Sequence, residues 1–379
     1  MNKGLEVKNY MLEAVSPVHI GSGEKASDAD YIFHDGKLFI INVEKFIEAI
    51  IPQQYDLFSN VLLQTGSIQQ CFQALNVAPP EYGKYAKYSI ECPTKPMELH
   101  VFIKNANSTP YIPGSSIKGA LRTAICYNLL INNPEKLQLL KKRIYSVIFR
   151  RNAEKLMRDM VESFLGGEKG RRSPHYDSMR FIRISDTSGI PIEKLTIQGL
   201  HLIETSGPTS HRKTGRATYV EAIKPGTAAC GKITVDKTIA MGEYGKYAVK
   251  FPALNNIINL NAVASYANKF ASDLIDYEEK FAATYGLSGL KQFYVHLRRD
   301  VLQKLSDGEL LLRVGWGSGY LATTIGLLLQ RDSALFRDLR KRFNLGVQRI
   351  PVFPISRKVI LADEQMIPLG WVKITIADH

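Results

Sequence analysis

The sequence predicts an α+β protein, and three observations support this class. Short stretches rich in β-branched and aromatic residues recur along the 379-residue chain and indicate strands. Longer stretches with an apolar residue every three or four positions lie between them and indicate helices. Hydrophobic residues make up 45% of the chain, enough to bury a sizeable core. The order of strand, helices, two strands, helices, strand–turn–helix and strand fits two ferredoxin-like (RRM-like) βαββαβ domains with helical insertions.

The first elements are mostly strands. Residues Tyr10–Ile20 alternate in polarity and predict a strand, which the glycines of Gly21–Gly23 end in a turn. Residues Tyr31–Val43 predict a hairpin that turns at Asp35-Gly36, a dipeptide typical of tight β-turns. Residues Val43–Ile51 predict a short helix that the following proline stops.

A longer helical part follows. Helices continue to Asn76, and the proline-containing stretch Val77–Thr109 is predicted to be irregular or extended. The segment YIPGSSIKGALRTAI then opens a helix, for which Ser115 or Ser116 is the predicted N-cap. Its apolar stripe consists of Ile117, Leu121, Ala124, Ile125 and Leu129.

Asparagine and proline separate this helix from the next. Asn132-Asn133-Pro134 is predicted to end one helix and cap another, and Ala153–Leu165 predicts a further helix. Residues Phe181–Ser185, Leu195–Thr205 and Tyr219–Val235 predict strands. The stretch between the last two, Ser206–Ala217, is basic and is predicted to be a mobile loop.

The C-terminal third combines helices with a glycine turn. Residues Leu260–Thr284 and Leu287–Leu305 predict helices, and LLLRVGWGSGYLATTIGLLL predicts strand, glycine-rich turn and helix. The stretch PLGWVKITI predicts a closing strand. We therefore expect two domains, at 1–250 and 251–379, with insertions at about 44–109 and 132–178.

The charge balance indicates a polyanionic partner. Lysine and arginine exceed aspartate and glutamate by 13, and the excess is concentrated in residues 141–183 and 337–358. Clustered cations suit nucleic acid, because each phosphate contact releases condensed counterions. No apolar run is long enough for a membrane span or a signal peptide. The four cysteines form no C-x-x-C pair, which favours reduced, buried thiols, no metal and a cytoplasmic location.

Two interpretations compete for the segment at residue 115. Ser115–Lys118 matches S-x-x-K, Ser185–Thr187 approaches S-D-N and Lys213–Gly215 matches K-T-G, in the order that penicillin-binding enzymes use. Three observations oppose the first interpretation: those enzymes work outside the cytoplasm, Thr187 replaces the asparagine, and the surroundings of K-T-G predict a loop and not a strand. The other interpretation is an anion site at a helix N-terminus, with Lys118 and Arg122 on one face.

The remaining polar residues leave further alternatives open. Neither Gly21–Gly23 nor Gly315–Gly319 matches a nucleotide-binding motif, so each is interpreted as a turn that RNA or another subunit approaches closely. Asp28, Asp30 and Asp186 are candidate ligands of a metal for phosphodiester cleavage, although isolated aspartates are usually turn or cap residues. His19 is more typical of a core histidine than of a general base.

Several segments together resemble one family. The segments PVHIGSGE, YIPGSSIKGALR, IRISDTS, YVEAIKPGT, RVGWGSGYLATT and PLGWVKI resemble the RAMP superfamily of CRISPR effector proteins. In order and length they are most similar to a subunit of the type III-A Csm complex. Residues of about 44–109 and 255–305 carry no motif of that family.

The resemblance implies a CRISPR-RNA-binding subunit for antiviral defence, without a catalytic residue or cofactor. It implies a position at the filament end that holds the backbone and 3′ part of the crRNA, assistance in crRNA maturation, and indirect contact with target RNA. Partners would be other Csm subunits, notably the repeated backbone subunit, and host nucleases. The predicted RNA contacts are His19, Gly21, Gly23, Ser115, Ser116, Lys118, Arg122, His211, Arg212, Lys213, Arg216, Gly315, Gly317 and Gly319. A metal-dependent ribonuclease is the alternative.

Overall fold

Strands form three sheets in the computed structural model of the chain. The structure describes residues 4–148, 177–207, 209–240, 253–346, 350 and 352–377. The strands among them are β1 Leu5–Ala14, β2 Gly21–Ala26, β3 Tyr31–His34, β4 Lys37–Ile41, β5 Ala86–Glu91, β6 Leu99–Phe102, β7 Ile182–Ile184, β8 Leu195–Gly207, β9 Ser210–Ile223, β10 Ala228–Asp236, β11 Glu309–Arg313, β12 Ser356–Ala362, β13 Gln365–Pro368 and β14 Trp371–Ala377.

The helices lie between these strands. They are α1 Val43–Ala49, α2 Tyr55–Thr65, α3 Ile68–Ala74, α4 Tyr82–Tyr85, α5 Gly114–Ile131, α6 Pro134–Val147, α7 Leu254–Ile257, α8 Leu260–Thr284, α9 Ser288–His296, α10 Tyr320–Thr323, α11 Gly326–Leu329 and α12 Ser333–Phe343. The α+β class is confirmed. The predicted helix Ala153–Leu165 lies outside the described residues.

The first sheet is antiparallel and has the strand order β11-β14-β1-β10-β7. Helix α8 packs against β11, and α5 packs against both β7 and α8. These helices cover one face of the sheet with apolar side chains, including Ile117 and Leu121 of the predicted stripe, which are buried. Burial of this stripe explains why the periodic pattern forms a helix here.

The second sheet has the order β13-β12-β8-β9-β6-β2, with a parallel pair between β6 and β9. The third, β3-β4-β5, packs with α1 to α4 around a small core of its own that includes Phe46 and Phe72. Each larger sheet takes strands from both sides of residue 250. Residue 250 itself lies outside the described residues, so the predicted domain boundary stays a prediction.

Local sequence signals place several elements correctly. Asp35 and Gly36 turn the β3–β4 hairpin with positive φ values of 47° and 67°. The side chain of Asn133 accepts the N–H of Lys136 and caps α6, with Pro134 in its first turn. Helix α8 has the predicted bounds, and Asn259 caps it.

Other predicted elements differ from the structure. Residues Gly21–Gly23 lie in β2, not in a turn. In the stretch Val77–Thr109, strands β5 and β6 are extended as predicted, whereas the short helix α4 was not predicted. Residues Tyr219–Val235 span two strands, because Pro225 and Gly226 turn the chain between them. Beyond His296 the predicted helix Leu287–Leu305 becomes a π-helical turn and a 3₁₀ turn.

Two expectations about surface properties can also be compared with the structure. Cys71, Cys92 and Cys126 are buried free thiols, whereas Cys230 is exposed, contrary to prediction. No helix in the described part of the chain has both the length and the apolar character needed to cross a membrane.

Candidate nucleic-acid interface

His19 lies buried between β1 and β2 and is a structural residue. Its Nδ1–H donates to the carbonyl oxygen of Glu221 at 2.6 Å. Burial lowers the pKa of His19 to about 4, and the hydrogen bond to Glu221 opposes this shift only in part. The imidazole is therefore neutral at pH 7 and is poorly suited to act as a general base there.

The early and late glycine segments meet at this histidine. The backbone N–H of Trp316 donates to the carbonyl oxygen of His19 at 2.9 Å. Gly315 has a φ of 79°, and a Cβ there would lie 2.3 Å from the same oxygen, so only glycine allows this approach. Gly21 and Gly23, just after His19, are exposed on β2. The start of β2 and the late glycine turn are thus neighbours in the structure.

An aromatic and cationic group covers this junction. The rings of His100 and Trp316 stack at 5.3 Å between centroids, and Lys358 Nζ lies 3.7 Å from the Trp316 ring centroid. Burial lowers the pKa of both His100 and Lys358. We call His100, Trp316 and Lys358 the Trp316 cluster. All three are half-buried, so part of each side chain faces solvent.

The sequence prediction did not find the Trp316 cluster. Trp316 is one of only two tryptophans and lies within the glycine-rich turn, which was a usable signal. No sequence signal indicated His100 or Lys358, because they lie on β6 and β12, far apart in the sequence. The Trp316 ring, which packs on the second sheet, brings them together, because β8 and β9 separate β6 from β12 in that sheet.

A buried ionic network holds β6 against β9. Glu221 is fully buried. Its Oε2 accepts the backbone N–H of Phe102 at 2.7 Å and forms an ion pair with Lys104. Its Oε1 accepts the Tyr88 hydroxyl at 2.9 Å. Burial lowers the pKa of Lys104, an effect that the neighbouring Glu221 opposes. The backbone carbonyl of Glu221 also accepts the N–H of His19, so Glu221 links β9 to the buried residues beneath the candidate interface.

The predicted mobile loop Ser206–Ala217 is instead the far end of the β8–β9 hairpin. The backbone N–H of Thr209 donates to the carbonyl of Thr284 at 3.3 Å, and His211 Nδ1 bonds to the carbonyl of Tyr285. The hairpin end therefore docks on the C-terminal end of α8. Long-range contacts of this kind are not visible in the local composition, which is polar and rich in glycine.

The predicted cations of the hairpin are exposed. Arg212, Lys213 and Arg216 lie on β9, in the same sheet as Gly21 and His100. Arg212 pairs with Glu204 at 3.2 Å, a surface ion pair of little strength. These guanidinium and ammonium groups can approach an anion without breaking a buried contact.

The serine helix starts differently from the prediction. Pro113 holds the N-cap position of α5 without a side-chain cap, and neither Ser115 nor Ser116 caps the helix. Asp186 Oδ1 accepts the backbone N–H of Gly114 at 2.8 Å instead. A Cβ on Gly114 would lie 2.1 Å from the Ile184 carbonyl, so this glycine allows close packing against β7 and not against a ligand.

This arrangement predicts which side chain stabilises the start of α5. We expect Asp186→Ala to lower the free energy of unfolding by about 1 kcal/mol, because the first-turn N–H loses its acceptor. Ser115→Ala and Ser116→Ala, as matched controls, should change it by less than about 0.5 kcal/mol. Urea unfolding measures all three. A larger loss of free energy of unfolding in either serine variant would identify that serine as the helix cap.

The helix cations form a separate group. Arg122 makes an ion pair with Asp177, and burial lowers the pKa of Lys118, opposed by the same carboxylate. Ser115 and Gly119 are exposed beside them. Helix α10, which follows the glycine turn, packs against α5. The structure thus brings α5 next to the turn, while Asp177 already neutralises part of the predicted cationic face.

The aspartates considered as metal ligands serve separate structural roles. Asp28 pairs with Lys95 at 2.8 Å, Asp30 accepts the N–H of Ser27 at 2.8 Å, and Asp186 accepts from α5. Among the described residues no three histidine, cysteine or acidic side chains lie close enough to hold a metal ion together. The K-T-G residues lie in the exposed first half of strand β9, and not in the loop predicted for them, while Ser115 lies in the first turn of α5.

His19 also gives a prediction for pH. In the unfolded chain His19 binds a proton below about pH 6.5, whereas in the folded chain it stays neutral down to about pH 4. Stability is therefore lost as the pH falls, by about 2 kcal/mol from this group at pH 5. His19→Asn keeps an N–H donor for Glu221 and removes the titration. Urea unfolding at pH 7.5 and 5 should show a smaller loss for the variant, and equal losses would contradict this assignment.

Comparison with known proteins identifies the family of this chain and several relatives. The sequence model of the RAMP superfamily matches residues 11–322. "CRISPR system Cms protein Csm5" of Methanocaldococcus jannaschii is 23% identical over 99% of this chain and 89% of its own length. The protein of the same name from Streptococcus thermophilus is 30% identical over 30% of this chain and 36% of its own.

Two solved structures have a similar fold. One is a chain in the cryo-EM structure of a Csm–crRNA–target RNA ternary complex of a type III-A CRISPR-Cas system, with a TM-score of 0.69 and 25% identity over 98% of this chain and all of that one. The other is the crystal structure of T. onnurineus Csm5, with a TM-score of 0.61 and 22% identity, covering 96% and 99% of the two chains.

Proposed function

Because the chain belongs to the RAMP superfamily, we propose that it is the crRNA-binding end subunit of a type III-A CRISPR ribonucleoprotein. In this proposal it holds the backbone and 3′ part of the crRNA and assists crRNA maturation. It contacts the repeated backbone subunit, meets target RNA only indirectly, and positions host nucleases. Its similarity to Csm5 proteins and to a chain of a Csm–crRNA–target RNA complex supports the assignment.

The main support for the proposal is that three features suited to RNA binding share one sheet. Exposed glycines on β2, the Trp316 cluster and the exposed cations of β9 belong to, or pack on, the second sheet. Single-stranded RNA is bound where cations meet phosphates and aromatic rings stack on bases. Glycines let the sugar–phosphate chain approach the protein backbone.

The strand order also supports the predicted ferredoxin-like unit. Strands β14-β1-β10-β7 are adjacent and antiparallel, with α5 between β1 and β7 in sequence and α8 between β10 and β14. We infer that these elements form one βαββαβ unit, to which β11 adds an edge strand. A second such unit stays a prediction.

We infer that this subunit has no active site of its own. Of the candidate residues, His19 has a pKa of about 4, and the three aspartates are committed to an ion pair, a turn and a helix cap. No group of three histidine, cysteine or acidic side chains among the described residues could hold a metal ion. A metal-dependent endoribonuclease would need at least one of these carboxylates to be released. The exposed position of the K-T-G residues gives the acyl-enzyme interpretation no support.

A binding titration tests the proposal. The purified chain is titrated with single-stranded crRNA at about 50 and about 200 mM salt, with and without Mg²⁺, and the RNA is then analysed on a gel. We expect salt-sensitive binding and intact RNA. Absence of binding would overturn the RNA-binding assignment. Shortening of the RNA that requires Mg²⁺ would overturn the non-catalytic assignment, and Asp28→Ala and Asp30→Ala would then identify the cutting residue.

A further inference from the structure

A cavity of about 280 Å³ opens beside the glycine turn. The turn residues Gly317–Gly319, the strands β8 and β12 and helix α8 contribute its lining. Lys358 belongs both to this lining and to the Trp316 cluster. A strand of RNA that crosses Trp316 would therefore pass the mouth of the cavity. We call it the Arg357 pocket.

A buried ion pair forms one side of the Arg357 pocket. Arg357 Nε donates to Glu278 Oε2 at 2.6 Å, and both side chains are more than nine-tenths buried. Nη1 of Arg357 donates to the carbonyl of Pro354 at 2.8 Å. Its Nη2 is buried and has no hydrogen-bond partner among the described residues. The guanidinium carbon also lies 3.8 Å from the ring centroid of Phe281. An unpaired buried donor is unfavourable, and a ligand acceptor that reached Nη2 would remove this cost.

The pocket also has an apolar and aromatic wall. Tyr320 and Phe353 meet edge to face at 5.1 Å between ring centroids, and Leu202 lies across from them on β8. A volume of about 280 Å³ is just below the usual range for drug-sized ligands, so the pocket suits a fragment of one or two rings. Flat apolar walls with a polar floor are typical of sites that bind a heteroaromatic ring.

We propose that the Arg357 pocket takes one unstacked nucleobase of the bound RNA, an inference that rests on the proposed function. The Glu278 carboxylate disfavours a phosphate beside Arg357, because it repels an anion and already neutralises that guanidinium. The other guanidinium of the lining, Arg313, donates through Nε to the carbonyl of Leu369 at 2.9 Å. A base edge instead combines donors and acceptors, which the Arg357–Glu278 pair can match. The base stacks against the aromatic wall while its phosphates stay outside, near Lys358.

Filling the pocket tests this inference. Leu202→Trp and Ser356→Trp each place an indole in the cavity from a different strand, so that one informative variant remains if the other fails to fold. Leu361→Trp is the control, because Leu361 is exposed on β12 and does not line the pocket. The probes are a short single-stranded RNA and a ribose–phosphate chain of equal length without bases, titrated against the full chain.

We expect the two filled variants to bind the base-bearing RNA about tenfold more weakly, the loss typical of one stacked base. Their affinity for the abasic chain should equal that of the wild type, as should both affinities of Leu361→Trp. Unchanged affinity for the base-bearing RNA would overturn the pocket assignment, and an equal loss for both probes would assign the pocket to the RNA backbone. If the wild type binds neither probe, the proposed function itself fails.

Discussion

Replacing Arg212, Lys213 and Arg216 with alanine is expected to weaken the binding of single-stranded RNA on the order of 100-fold at about 0.1 M salt. The three side chains are exposed on β9 and contact no buried side chain in the part of the chain that the structure describes, so we expect their removal to leave the fold intact. Each lost phosphate contact removes about 0.7 from the salt slope of a single strand, so the slope should fall by about 2. Titrations at several salt concentrations measure both quantities.

A charge-matched variant separates this effect from net charge. Lys37, Lys45 and Lys84 are also exposed, but they lie on β4, α1 and α4 around the third sheet. Changing all three to alanine removes the same charge and should leave the salt slope within about 0.5 of the wild-type value. If both triple variants lose affinity equally, RNA is attracted by the overall charge and the hairpin has no particular role.

Glu221→Ala is expected to cause the largest loss of stability, about 3–5 kcal/mol in the free energy of unfolding. The substitution leaves the Phe102 N–H and the Tyr88 hydroxyl without their acceptor. It also removes the only carboxylate paired with the buried Lys104 ammonium among the described residues, which then keeps the Phe102 carbonyl at 3.2 Å. An uncompensated buried charge costs more than the ion pair contributes. Urea unfolding followed by circular dichroism measures the change.

Two further variants test the cause of this loss. Glu91→Ala removes an exposed carboxylate that lies 3.9 Å from Lys224 and should cost less than about 0.5 kcal/mol. The double change Glu221→Leu/Lys104→Met removes both buried charges and should be less destabilising than Glu221→Ala alone. A double variant that is less stable than the single one would show that the buried charge of Lys104 is not the main cost.

The network around Glu221 also links stability to the candidate interface. His19 donates to its carbonyl, and the carbonyl of His19 in turn accepts the N–H of Trp316. Glu221 is thus joined to the Trp316 cluster through two hydrogen bonds that its side chain does not make. Glu221→Ala therefore removes the buried ion pair and leaves both bonds in place.

The sequence by itself determined the elements whose signals are local. The helix Leu260–Thr284 follows from its apolar periodicity, the β3–β4 hairpin from Asp35-Gly36, and the start of α6 from Asn133-Pro134. In each case the deciding interactions lie within about one turn of the chain. The charge excess and the family motifs likewise predicted an RNA-binding protein of the RAMP superfamily.

The tertiary structure decided which residues share a site. Asp186, and not Ser115, accepts the first-turn N–H of α5, and Asp177 forms an ion pair with Arg122. The end of the β8–β9 hairpin, predicted to be a loop, contacts the C-terminal end of α8. The Trp316 cluster joins β6, the glycine turn and β12. Each of these contacts joins residues far apart in the sequence, so it depends on strand order and register, which no local pattern encodes.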